Sequence, residues 1–124
     1  MVSVADGAAV VGELFEGMAG FRVKRMFGGV GLFAADVMFG LLDDGLIYLK
    51  TDAALEADLR AAGATPWLYT ERSGPMAGIP QETSYPSLPD AAYDDPAEAR
   101  AWAERAQAVA IAVRKTRQPR RGAR

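Results

Sequence analysis

The stretch "RMFGGVGLFA", residues 25–34, places Gly29, Gly31 and Ala34 in the spacing G-x-G-x-x-A, and the acidic residue Asp52 follows further along. That set can cradle a dinucleotide. Glycines let the backbone approach the pyrophosphate, the next helix offers N–H groups and a positive dipole end, and a later carboxylate holds the ribose. The chemistry demands a helix immediately after the glycines. The residues there, "LFAADVMFGLLDD", include Val37, Phe39 and Gly40, begin without a capping residue, and run into Asp44-Gly45, a hairpin turn. Gly28, Gly29 and Gly31 are therefore expected to relieve crowding at a bend or bulge between antiparallel strands. No cofactor is expected, and a small-ligand module built on the Gly28–Gly31 segment is the third-ranked reading.

Other catalytic chemistry is scarce. The 124 residues contain no cysteine and no histidine, which removes thiolate and imidazole metal sites, cysteine nucleophiles and histidine acid–base catalysis. Two pairs of adjacent carboxylates remain. Asp43 and Asp44 fall in the hairpin turn, and Asp94 and Asp95 fall at a helix start, where aspartate serves as a cap. No catalytic or metal-binding residue is assigned. Lys50 and Arg25 are candidates for an anion site across the sheet, against a competing reading in which the Lys50 stem simply lies over Phe39. Trp67, Tyr69 and Tyr85 could form an aromatic patch for a partner, or pack beneath the neighbouring loop. Arg25, Lys50, Trp67, Tyr69 and Tyr85 together make the candidate partner surface.

Charge is divided unevenly along the chain. The last eleven residues, "RKTRQPRRGAR", hold six basic and no acidic groups, leaving eight basic against sixteen acidic residues in the body. Arg114, Lys115, Arg117, Arg120, Arg121 and Arg124 are candidate nucleic-acid contacts, expected to be weak and non-specific because the acidic body opposes them. Pro119 and Gly122 oppose helix continuation, so a disordered tail over 114–124 is expected after a folded domain over 1–113. The first basic residue is Arg22, no signal-peptide n-region is present, and no apolar run approaches a membrane span. A cytoplasmic protein without a membrane partner is expected.

The elements that must position these residues follow from periodicity. Val11, Leu14, Phe15 and Met18 mark an amphipathic helix over about 4–18, stopped by Gly20. From Phe21 the period falls to two, predicting a half-buried strand. Around Asp44-Gly45, Asp43 should pair with Leu46, Leu41 with Tyr48 and Phe39 with Lys50 on one face, and Leu42 with Ile47 on the other. Asp52 caps a short helix whose apolar positions are Leu55, Leu59 and Ala62, with Gly63 beyond. "TPWLYT" reads as a strand, and four prolines restrict Glu71–Pro89 to loop and edge strand. Asp95, Pro96 and Glu98 open a long last helix that should bury Ala99, Trp102, Ala103, Ala106, Val109, Ala110 and Val113. The fold class is α+β, a two-layer domain with a mainly antiparallel sheet, an N-terminal helix, a short middle helix and a long C-terminal helix. Both faces of the central hairpin read as apolar, and helices are enough for one, so a two-fold homodimer is expected to cover the other.

In order and spacing, "RMFGGVGLF", "VMFGLLDDGLIYLKTD", "AAGATPWLY", "SYPSLP" and "DDPAEARAWAERA" resemble the N-terminal-domain family of the TfoX/Sxy competence regulators, from about Phe21 to Val113. The resemblance implies a two-layer α+β fold with helices on one side of the sheet. It also implies a non-enzymatic regulatory or interaction domain, since full-length members co-regulate DNA-uptake genes with a cyclic-AMP-responsive activator. Two departures stand out. The sequence ends before the second, helical domain of those members, and Thr83-Ser84-Tyr85-Pro86 stands where the family usually has Met-Ser/Pro-Tyr followed by an aromatic. Action through an unknown protein partner is the expectation, with nucleic-acid association through the basic tail as the alternative.

Overall fold

In the computed structural model, which describes residues 4–26 and 29–117, the chain forms a four-stranded sheet, a two-stranded sheet and three α-helices. The first helix, α1 (Val4–Phe15), ends three residues earlier than its apolar pattern predicts. Met18 still reaches the core from the turn that follows, where its N–H bonds the Phe15 carbonyl, and Gly20 leaves that turn at φ 72°. A meander then runs β1 (Arg22–Met26), β2 (Gly29–Ala34), β3 (Val37–Asp43) and β4 (Leu46–Leu49), each antiparallel to the next. The Asp44-Gly45 turn has φ 52° and 80°, the left-handed pair that a two-residue hairpin loop requires. Its ladder pairs Asp43 with Leu46, Leu42 with Ile47 and Leu41 with Tyr48, in the expected register.

Two expectations about the sheet are corrected. The strand from Phe21 was expected to be half-buried, but β1 is the outermost strand and its Arg22–Arg25 are exposed. The helices pack on β3 and leave this edge uncovered, so alternation there carries no burial. Phe39 does not share a face with Leu41 and Tyr48. Leu32 pairs with Gly40 while Phe33 pairs with Met38, so Phe39 is the extra residue of a β-bulge. The bulge breaks the period-two count and turns Phe39 into the core, where its ring meets Phe15 at 5.4 Å and Phe21 at 6.3 Å.

Asp52 caps α2 (Ala53–Ala61) by accepting the Leu55 N–H at 2.9 Å, and Leu55 and Leu59 are buried. Ala62, predicted to continue the buried stripe, lies just past the helix and is exposed. After β5 (Pro66–Tyr69) and β6 (Gln81–Pro86), a 3-10 turn over Asp90–Asp94 leads to α3 (Pro96–Arg117). Asp95 accepts the Glu98 N–H at 3.2 Å, which supports the capping reading of that aspartate. Ala99, Ala103, Ala106, Val109 and Ala110 are buried, while Trp102 and Val113 are only partly covered. The alanine stripe lets α3 lie close against the sheet, with α1 beside it on β3.

The β5–β6 hairpin closes the β4 side of the main sheet. Tyr48 bridges to Ser87, Leu88 N–H bonds the Ile47 carbonyl at 2.8 Å, and Ile47 N–H donates to the Tyr93 hydroxyl at 2.8 Å. This hairpin occupies part of the place for which a second subunit was expected.

Candidate functional site

The glycine segment sits inside a meander. Gly29 pairs with Met26, and Gly31 pairs with Lys24 on one side and Leu41 on the other. The strand that carries Gly29 and Gly31 turns back at Ala35-Asp36 into β3, so among the described residues the element that follows these glycines is a strand and not a helix. Their need for a missing side chain is local. A Cβ on Gly31 would lie 2.6 Å from the Met26 sulfur and 3.2 Å from the Met38 sulfur, and one on Gly29 would lie 2.9 Å from the Leu42 carbonyl. These glycines let two methionines and a neighbouring strand close over the sheet. Gly28 lies outside the described residues.

The helix-free face of the sheet gathers four of the five candidate partner residues. Trp67 is the hub. Its ring lies 6.1 Å from Tyr85 edge-on, 5.8 Å from Tyr69 and 6.3 Å from Tyr48. The indole N–H donates to Asp43 Oδ2 at 3.0 Å, so the hairpin-turn carboxylate fixes the ring that covers its own strand. Thr83 Oγ1 donates to the Trp67 carbonyl at 2.9 Å and accepts the Tyr85 N–H at 3.2 Å, locking β5 to β6 beneath the rings. Thr51 Oγ1 donates to the Ser84 carbonyl at 2.7 Å, joining the end of β4 to the same hairpin. Lys50 Nζ stands 5.5 Å over the Tyr85 ring, a cation–π contact.

Arg25 does not join this group. It pairs with Val30 on β1, and strand alternation puts it on the side of Val23, opposite Lys24 and Met26. The Arg25–Lys50 anion site is therefore not assembled. The stem of Lys50 also lacks its expected support, because Phe39 is turned into the core. Tyr48, which the sequence reading did not single out, joins the ring cluster through Trp67. Its pairing with Leu41 across the hairpin was the signal that could have found it. Partial burial raises the Tyr48 phenol above its ordinary pKa, and the carboxylates of Asp43 and Asp44 push it the same way.

Around the aromatic cluster the surface is apolar. Leu68, Tyr69, Met76 and Ile79, on β5 and the loop after it, are each 41–53% exposed. A groove of about 460 Å³ separates β5 from the sheet, with Met26, Met38, Leu41, Trp67 and Leu68 on its walls. Among the described residues, no group of three or more acidic side chains is placed to hold a metal ion, and no helix is long and apolar enough to cross a membrane.

The basic run begins on a helix rather than after one. α3 continues through Arg114 and Lys115 to Arg117, past the expected boundary at 113. Cations suit a helix C-terminus, where the carbonyl dipoles point outward. Arg114 donates to the Asp36 carbonyl at 3.4 Å. Arg120, Arg121 and Arg124 and the disorder expected for residues 118–124 lie outside the described residues.

A family model described as the TfoX N-terminal domain matches residues 13–110. The DNA transformation protein TfoX1 of Aliivibrio fischeri is similar to this chain, with 34% identity over 53 residues. That match covers 43% of the chain and 25% of the relative, so it spans about a quarter of the relative's length. The family match runs from within α1 through the main sheet, α2 and the hairpin into α3, which takes in the whole aromatic face described above. The chain belongs to the TfoX N-terminal domain family.

Proposed function

We propose that this domain is a non-enzymatic regulatory module of the competence type, acting in the cytoplasm through protein–protein contacts made by the face of the β5–β6 hairpin. The observation that carries the reading is the set of large apolar side chains left exposed on that hairpin, Leu68, Tyr69, Met76 and Ile79, beside an aromatic cluster held rigid by hydrogen bonds. Exposed apolar groups rimmed by polar residues mark interaction surfaces, and rigid aromatics make strong anchors because little side-chain entropy is lost on docking. The family and its DNA-transformation relative support a regulatory setting.

Self-association belongs to the same proposal, through the hairpin rather than through the open edge at β1. Two copies of β1 side by side would bring Arg22, Lys24 and Arg25 of each together, and like charges across a ladder destabilise it. A photo-crosslinking side chain placed at Leu68 in the native host tests the contact surface. It should yield a discrete adduct that the same group at Ala62, exposed at the end of α2, does not give. Equal labelling from both positions would contradict the proposal.

A further inference from the structure

A second concavity, of about 640 Å³, lies between the β2–β3 turn, the ends of β3 and β4, Tyr85 and the last turns of α3. Its floor is apolar. Val37 and Ala110 are buried there, and Val113 and Met38, which also walls the groove beside β5, are half-buried. Two cations border it from different elements, Lys50 from the end of β4 and Arg114 from α3. Neither has a carboxylate within ion-pair distance among the described residues, although the body carries twice as many acidic as basic groups. The ion pairs among the described residues lie elsewhere: Arg60 meets Glu56 and Glu82, and Arg105 meets Asp58, while Lys24, Arg25, Arg72, Arg100 and Lys115 likewise have none. The carboxylate at the cleft, Asp36, is 3.6 Å from Arg22, outside it.

Both cations are placed by contacts that leave their charge unmatched. Lys50 is held over the Tyr85 ring, and that ring is held edge-on by Trp67. Among the described residues, Arg114 reaches a backbone carbonyl, that of Asp36, and no carboxylate within ion-pair distance. The Ala35-Asp36 turn that presents this carbonyl has φ 52° and 65° without a glycine, a conformation that L residues adopt at a cost. Two cations bordering one hollow can share an anion through charge-assisted contacts.

We propose that this cleft binds an amphipathic anion, an apolar stem ending in a single carboxylate or phosphate. The head group sits between Lys50 and Arg114, and the stem lies over Val37, Met38 and Val113. The volume falls within the ordinary range for small-molecule sites, roughly 300–1,000 Å³, and the lining combines an apolar floor with a few convergent polar groups. The site is separate from the exposed hairpin residues on which the proposed protein contact rests.

The test is a titration of the isotopically labelled full chain followed through its backbone amide spectrum, with octanoate, octyl phosphate and octanol as probes. Saturable shifts should centre on Met38, Lys50, Tyr85 and Val113 with one or both anions, and the stronger of the two identifies the head group. Octanol should bind about tenfold more weakly or less, and Lys50→Gln or Arg114→Gln should weaken the anion about tenfold, the change expected for losing one charge-assisted contact. Val113→Trp, which fills the hollow and leaves both charges, should abolish the response. Spectra of the free variants establish that each is folded. Equal binding of octanol, unchanged binding by both charge variants, or shifts that map elsewhere would overturn the proposal.

Discussion

Individual side chains of this domain do work that their types alone do not disclose. Ala35 occupies the first position of a left-handed turn at φ 52°, where a Cβ meets the backbone unfavourably. Ala35→Gly should therefore stabilise the fold by about 0.5–1 kcal/mol, net of the extra entropy glycine brings to the unfolded chain, and raise the melting temperature by a few degrees. Tyr93 is the acceptor that satisfies Ile47 N–H at the outer edge of β4. Burial raises its phenol pKa above the ordinary 10.0, outweighing the Ile47 hydrogen bond, which acts in the opposite direction, while Tyr48 and Asp90 add to the rise. The unfolded chain then loses this proton first as pH climbs through 10, so its contribution is intact below pH 10 and falls between 10 and the folded value. Tyr93→Phe should cost about 1 kcal/mol at neutral pH, because a backbone donor is left unsatisfied, and should flatten the alkaline end of a denaturation series. An unchanged neutral stability would show that the bond contributes nothing net.

At the scale of elements, local signals were readable where one rule acted alone. The capping aspartates at 52 and 95 and the hairpin turn at Asp44-Gly45 combine chemistry and spacing within four residues, and each stands where the sequence predicts. The bulge at Phe39 was not readable, because an inserted residue leaves no mark on composition and shows only as a register shift against β2. The exposure of β1 was hidden for a related reason. Alternation predicts a strand, but coverage depends on where the helices settle. The site was partly readable. Lys50, Trp67, Tyr69 and Tyr85 were singled out by type and meet in space, whereas Arg25 was assigned across a sheet whose strand order, β1-β2-β3-β4, separates it from Lys50. The close seat of α3 on the sheet carries its own prediction. Ala106 is fully buried, so Ala106→Leu should overpack the interface and lower stability by about 1–3 kcal/mol in chemical denaturation. A neutral result would mean that α3 sits more loosely than the alanine stripe requires.

For the whole molecule, the fold divides its labour between two faces. The helices and the alanine stripe bury one side of the sheet, while the β5–β6 hairpin covers part of the other and leaves its own apolar residues in solvent. If those residues also join two copies, sedimentation velocity should show a concentration-dependent dimer that becomes a monomer in Leu68→Lys/Ile79→Lys, whereas a monomer at high micromolar concentration in the parent chain would remove self-association from the proposal. The regulatory role itself is tested most directly by transcript levels of DNA-uptake genes in the native host. Three strains are compared: the parent, a deletion of the domain, and the Leu68→Lys/Ile79→Lys double variant, whose exposed substitutions, with Lys at 68 facing Glu82 across the ladder, should leave the melting temperature nearly unchanged. The double variant should reproduce the loss of induction seen in the deletion. Induction that survives the deletion, or a folded double variant that induces as well as the parent, would contradict a regulatory contact through the hairpin.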